Sequence, residues 1–214
     1  MNQCIYAVGS LHALRGVIDE QRRANEQELD VVIVPSAAAF TGAPEACVAI
    51  AEVCNEFEVR VEALMVTDRS SASEAYFEQR LRDADLVVLA DGSALHARLT
   101  WRNSPVGGAL KDAKKVVAIG SVASVLGDVM IDPRGGAPTI GLGLFKGVTF
   151  SVPASSEQLF RTRSLLEPAT ALVVLGELGV VRYDSTWQIL SADGVEVTRG
   201  HDPGELPLGR AEKG

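Results

Sequence analysis

Four short runs, Cys4–Val8, Val31–Val34, Leu86–Leu89 and Lys115–Ile119, are apolar at almost every position, and helical spacing of apolar residues follows the first two. A strand with one wet face alternates apolar and polar residues, so runs apolar on both faces belong to a sheet covered on both sides. Parallel neighbours need a long crossover connection, and a helix supplies it. Leu11, Leu14, Val17 and Ile18 fall on one side of the first helical stretch, with Asp19, Glu20, Arg22 and Arg23 on the other. Cys47, Ile50 and Cys54 mark one face of Pro44–Phe57. Val59–Met65 alternates and Ser73–Leu81 reads as a helix, so the unit repeats. The pattern specifies an α/β chain with a mainly parallel central sheet between helices.

The last third changes character. Thr149–Val152, Ala171–Leu175, Val180–Tyr183, Trp187–Leu190 and Val195–Thr198 are short strand-like runs with close turns such as Ser191-Ala192-Asp193-Gly194. They read as an antiparallel extension, with one mixed sheet accommodating every strand. Residues 1–199 are expected to form a single domain, and 200–214, charged and with little to bury, a flexible tail. A chain of 214 residues buries roughly 70% of its unfolded surface, enough for a sizeable core.

Composition excludes several functions. The net charge of −8 and the lack of a basic cluster argue against nucleic acid as a partner, because phosphate binding needs concentrated Lys and Arg. No apolar run approaches the roughly 20 residues a membrane span requires, and the start lacks a basic leader, so no membrane partner and a cytoplasmic location are expected. Cys4, Cys47 and Cys54 form no CxxC pair, and His12, His96 and His201 are scattered. No metal site is expected. The glycine-rich turns match neither the dinucleotide fingerprint nor a P-loop, so no cofactor is implied.

Ligands of an open parallel sheet collect outside the carboxyl ends of its strands. Three turns should meet there: Pro35-Ser36-Ala37-Ala38-Ala39, Ala90-Asp91-Gly92-Ser93-Ala94 and Ile119-Gly120-Ser121-Val122-Ala123-Ser124. Free backbone N–H groups at such turns suit an anion or a developing oxyanion. Ser121 is the candidate nucleophile; Asp91, Gly92, Ser93, Gly120, Ser124 and Arg134 are the candidate ligand-binding residues. Each has a plainer reading. Asp91 and Ser93 can cap the following helix, Ser124 can pack or cap, and Asp132-Pro133-Arg134-Gly135-Gly136 can be a rigid turn rather than one presenting the Arg134 guanidinium to a carboxylate. Trp101 and Trp187 read as core or interface aromatics.

The segments Asp83–Gly92, Leu126–Gly136 and Gly141–Leu144, with Val34–Ala39 and Trp187–Leu190, resemble the cyanophycinase and aspartyl-dipeptidase family of serine peptidases, relatives of the class I glutamine amidotransferase fold. The resemblance covers most of the chain. It implies a three-layer α/β/α domain, a homodimer, and an active site in which a serine, a histidine and an acidic residue cut peptide bonds next to aspartate.

The catalytic motifs depart from that pattern. The family's Gly-x-Ser-Ala-Gly-Ala elbow appears as Ala118-Ile119-Gly120-Ser121-Val122-Ala123-Ser124. Counting back without a gap from Leu126-Gly127-Asp128 puts the nucleophile position on Gly120; a one-residue deletion moves it to Ser121. The β-branched Val122 fits poorly beside a strained serine. Where the family has a histidine after Val-Pro, this chain has Val152-Pro153-Ala154-Ser155, and Glu177 has no imidazole to orient. Two functions follow. One is a protein that has lost or altered its hydrolytic activity and binds a small-molecule, anionic or peptide-like ligand at the remnant site. The other is an active serine hydrolase cleaving aspartyl or amide bonds through Ser121.

Overall fold

A computed structural model describes residues 3–132, 137–152, 155–184, 187–191 and 193–199. The first strands run β1 (Cys4–Val8), β2 (Asp30–Val34), β3 (Arg60–Ala63), β4 (Leu86–Leu89) and β5 (Lys115–Ile119), separated by helices α1 (Leu11–Ala24), α2 (Ala43–Asn55), α3 (Ala75–Asp83), α4 (Ala94–Trp101) and α5 (Pro105–Asp112). A 3₁₀ helix, Gly120–Leu126, follows β5. Then come β6 (Val129–Ile131), β7 (Pro138–Ile140), β8 (Val148–Ser151), α6 (Ser156–Leu165), β9 (Ala171–Leu175), β10 (Val180–Tyr183), β11 (Trp187–Ser191) and β12 (Val195–Arg199).

Serine side chains start four of the helices. Ser10 accepts from His12 N and Ala13 N at α1, Ser93 from His96 N at α4, Ser104 from Gly107 N at α5 and Ser155 from Gln158 N at α6. Each satisfies an N–H that the first turn leaves without a carbonyl. At α5 the next residue, Pro105, has no N–H to satisfy.

The main sheet has seven strands in the order β11-β10-β1-β5-β4-β2-β3. The five strands β1 to β5 are mutually parallel where they pair, and β10 and β11 extend the β1 edge antiparallel. The two faces alternate as the side-chain period of 2 requires. Ile5, Ala7, Val32, Val34, Val87, Leu89, Val116 and Ala118 pack on one side with residues of α3, α4, α5 and the 3₁₀ helix. Tyr6, Val8, Val31, Ile33, Leu86, Val88, Val117 and Ile119 pack on the other with α1 and α2. Cys47 and Cys54 are buried in that second layer, where loss of water pushes the Cys54 thiol up to about 11. This is the three-layer α/β/α architecture expected from the sequence.

One expectation needs correction. The strands do not all join one mixed sheet: β8, β9 and β12 form a separate three-stranded sheet, and β6 and β7 a hairpin pair. Within the three-stranded sheet β8 and β9 are parallel, and β12 pairs with β9 rather than hairpinning onto β11. The reason lies in β9. Val173 and Leu175 join the main core, while Leu172 and Val174 pack with Ile131 and Leu166 in a core of their own. A strand buried on both faces is central, so it recruits a neighbour on each edge.

A charge network closes the opposite end of the sheet. Arg80 reaches Asp30 at 2.7 Å and Glu62 at 2.6 Å, and Arg60 reaches Asp30 at 3.1 Å. Burial alone would raise the Asp30 carboxyl; the hydrogen bonds and charges of Arg60 and Arg80 outweigh it and hold the carboxyl below its ordinary value. Among the described residues no helix is long and apolar enough to cross a membrane. The expected tail, 200–214, lies outside the described residues.

Candidate functional site

The adjacent strands β2, β4 and β5 deliver their carboxyl-end turns to one place. The Ser93 N–H donates to Ala37 O at 2.7 Å, joining the turns after β2 and β4. The Ser121 N–H donates to Asp91 Oδ1 at 2.9 Å, joining those after β4 and β5. The three turns singled out in the sequence therefore meet.

The chain reverses after β5 at Gly120. Ile119 is extended, Gly120 has φ +61, and the 3₁₀ helix starts there. A residue with a side chain pays for this left-handed conformation, and glycine does not. The apex of the strand-to-helix turn is therefore Gly120, the position reached without a gap, and Ser121 is the first residue beyond it. A Cβ on Gly120 would overlap the Asp91 carboxyl group. Asp91 fills the space that an apex side chain would take.

The Asp91 carboxylate is held from three directions. Its Oδ1 accepts from the Gly92 N–H at 2.7 Å, the Ser121 N–H at 2.9 Å and the Ser121 hydroxyl at 2.7 Å. The Ser121 hydroxyl also lies 2.5 Å from Gly92 O, so its single proton has two acceptors. Ser124 Oγ donates to Ser121 O at 2.8 Å. The turn was expected to offer free N–H groups to an external anion. Two of those donors are instead occupied by an anion of the chain itself, which mimics bound oxyanion.

Of the remaining candidates, Ser93 caps α4, accepting from the His96 N–H at 3.3 Å. Gly92, at φ +147, brings the β4 turn so close to Ala37 that a Cβ would overlap the Ala37 carbonyl. Arg134 and Ala154 lie outside the described residues. His96 Nε2 lies 2.7 Å from Thr67 O, and its ring packs edge-on against Phe40, so it serves the turn after β3 rather than Ser121. Glu177 engages through its backbone carbonyl, which accepts from Ser10 Oγ at 2.7 Å. Among the described residues no group of three or more His, Cys, Asp or Glu could hold a metal ion.

Beside Ser121 lies a cavity of about 50 Å³, lined among others by Ser124, Ile131, Phe150, Ser151 and Gln158. It has room for a water or two, well below the 300–1,000 Å³ typical of ligand pockets. A hydrogen-bond chain that sequence reasoning did not foresee fixes the frame. Trp101, fully buried, donates from Nε1 to Ser36 Oγ at 2.8 Å, and Ser36 Oγ donates in turn to Val66 O at 2.5 Å. This chain locks the β2 turn to α4 and to the segment after β3. Trp101 was legible as a core aromatic; its polar partner was not.

Solved peptidases share this fold. A peptidase from an acI-B1 actinobacterium superposes with a TM-score of 0.77 at 18% identity, over 98% of this chain and 96% of that one. A candidate peptidase E protein from Listeria monocytogenes EGD-e superposes with a TM-score of 0.64 at 10% identity, over 93% and 99%. No protein-family model matches the chain, and no curated protein matches its sequence. At such identities the likeness establishes the fold, and the chemistry has to be read from the site.

Proposed function

We propose that this chain is a cyanophycinase-like member of the peptidase fold that does not hydrolyse peptides by a serine mechanism. Its former catalytic turn works as a structural latch. The observation that carries the reading is the Asp91 carboxylate on the donors of the Gly120–Ser121 turn. An oxyanion forming there would meet a negative charge instead of free N–H groups, which reverses the largest single term of acyl-transfer catalysis. The nucleophile position is glycine. Among the described residues the hydrogen-bond partners of the Ser121 hydroxyl, one residue on, are Asp91 and Gly92 O, neither of them an imidazole.

The 2.7 Å contact between the Ser121 hydroxyl and Asp91 favours a second reading, a serine hydrolase with Asp91 as base. Asp91 serves badly in that role. Taking the serine proton would weaken the two N–H bonds that position it. The test is turnover of a panel of Asp-Xaa and β-aspartyl dipeptides, together with labelling by a fluorophosphonate probe. Neither turnover nor labelling is expected in the wild type. Hydrolysis that disappears in Ser121→Ala, with the circular dichroism unchanged, would establish the second reading instead.

A further inference from the structure

A larger cleft, about 450 Å³, lies away from this turn, between the α4–α5 corner and the strand segments around Asp128 and Ile140–Gly143. Its size is that of small-molecule sites. The walls are backbone held in place. Arg98 Nε donates to Ile140 O at 2.5 Å, tying α4 to the far wall. The N–H groups of Gly141, Leu142, Gly143 and Leu144 donate to Asp128 O, Val125 O, Gly127 O and Leu126 O at 2.7 to 3.0 Å. A cleft framed this way is preformed, so a ligand does not bear the cost of ordering its walls.

Three charged residues line it, Arg102, Lys111 and Asp128. Arg102 and Lys111 are exposed, and among the described residues neither guanidinium nor ammonium has a hydrogen-bond or ion-pair partner. The other cations around them are committed: Arg82 to Glu78 and Asp112, and Arg69 to the carbonyls that end α4. Asp128 uses Oδ2 to accept from the Gly147 N–H at 2.8 Å, which leaves Oδ1 beside Gly143 on the cleft wall. The lining thus offers two cations and one carboxylate oxygen in a chain of net charge −8. Gly108 opens the α5 wall: a Cβ there would meet nothing within 4 Å.

We infer that this cleft binds a small zwitterion of amino-acid type, a free amino acid or short peptide, with its carboxylate on Arg102 and Lys111 and its ammonium toward Asp128. A plain anion would use the cations and be repelled by Asp128; a plain cation would meet the reverse. Only a molecule carrying both charges matches the whole lining. The site is separate from the Ser121 turn and does not depend on whether that turn is catalytic.

The test is titration of the full chain, followed by backbone amide NMR, with glycine, L-glutamate and glycylglycine, and with acetate and methylammonium as the separate halves. Saturable shifts at cleft residues are expected for at least one zwitterion, with acetate and methylammonium each binding at least about tenfold more weakly. Gly108→Leu should abolish binding while the fold is retained, because leucine is a better helix former than glycine and enters open space. Arg102→Ala/Lys111→Ala should weaken binding about tenfold or more, and Ser121→Ala should leave it unchanged. No saturable shift with any zwitterion at millimolar concentration, acetate binding as tightly as glycylglycine, or binding untouched by Gly108→Leu would overturn the inference.

Discussion

Trp101→Ala is expected to lower the stability of this chain by about 3–5 kcal/mol, the range for removing a large buried aromatic. The indole is fully buried in the layer between the sheet and α3–α5, so its loss leaves a void that packed neighbours cannot close. The same substitution removes the donor to Ser36 Oγ. Ser36 keeps its bond to Val66 O, so Trp101→Phe, which restores most of the volume, should cost only about 1–2 kcal/mol. Urea denaturation of the two variants separates the contributions. Equal losses would mean that the Trp101–Ser36 bond, and not packing, holds α4 against the β2 turn.

Gly92→Ala should be the second large effect. Gly92 has φ +147, a conformation that side chains avoid, and its Cβ position is taken by the Ala37 carbonyl. Relief requires the turns after β2 and β4 to separate, which stretches the 2.7 Å bond from the Ser93 N–H to Ala37 O. Strain of this kind costs about 1–3 kcal/mol before any packing loss, so a fall of at least about 2 kcal/mol is expected. In a domain of this size that corresponds to a melting temperature lower by about 4–8 °C. A variant that melts with the wild type would show that the two turns are not in the contact described.

Much of this fold was legible because burial leaves a plain mark. β1, β4, β5 and β9 occupy the apolar runs read from the sequence with the same bounds, since strands covered on both faces tolerate no polar interruption, and β10 keeps the bounds of its strand-like run although Arg182 interrupts it. What periodicity could not show was partnership. β6 and β7 have three residues each, too few for an alternation to register. β8 and β12 look like members of an antiparallel run, and only the second small core around Leu172 and Val174 reveals why they flank β9. The Asp30–Arg60–Glu62–Arg80 network was equally hidden, because its members come from β2, β3 and α3 and meet only in the fold.

At the site, the three turns could be placed together from the sheet topology alone. The register of the apex and the direction of Asp91 could not. Sequence spacing left Gly120 and Ser121 as alternatives, and the positive φ falls on Gly120. Asp91 was legible as a candidate ligand-binding or capping residue, and not as a partner of the Gly120 turn. The carboxylate turns onto Gly120 and accepts two N–H bonds while staying exposed to solvent.

The central claim, that Asp91 fills the side-chain space of the turn apex, is tested most directly by a double-mutant cycle with Gly120→Ser and Asp91→Ala. Gly120→Ser alone should cost about 2–3 kcal/mol, from left-handed strain and from displacing the carboxylate off its donors. In the Asp91→Ala background the serine enters vacated space and should cost only about 1–2 kcal/mol. A coupling of about 1 kcal/mol or more between the two sites is therefore expected in urea denaturation. Additive effects would contradict the account, because they would mean that the carboxylate and the apex side chain do not compete for the same place.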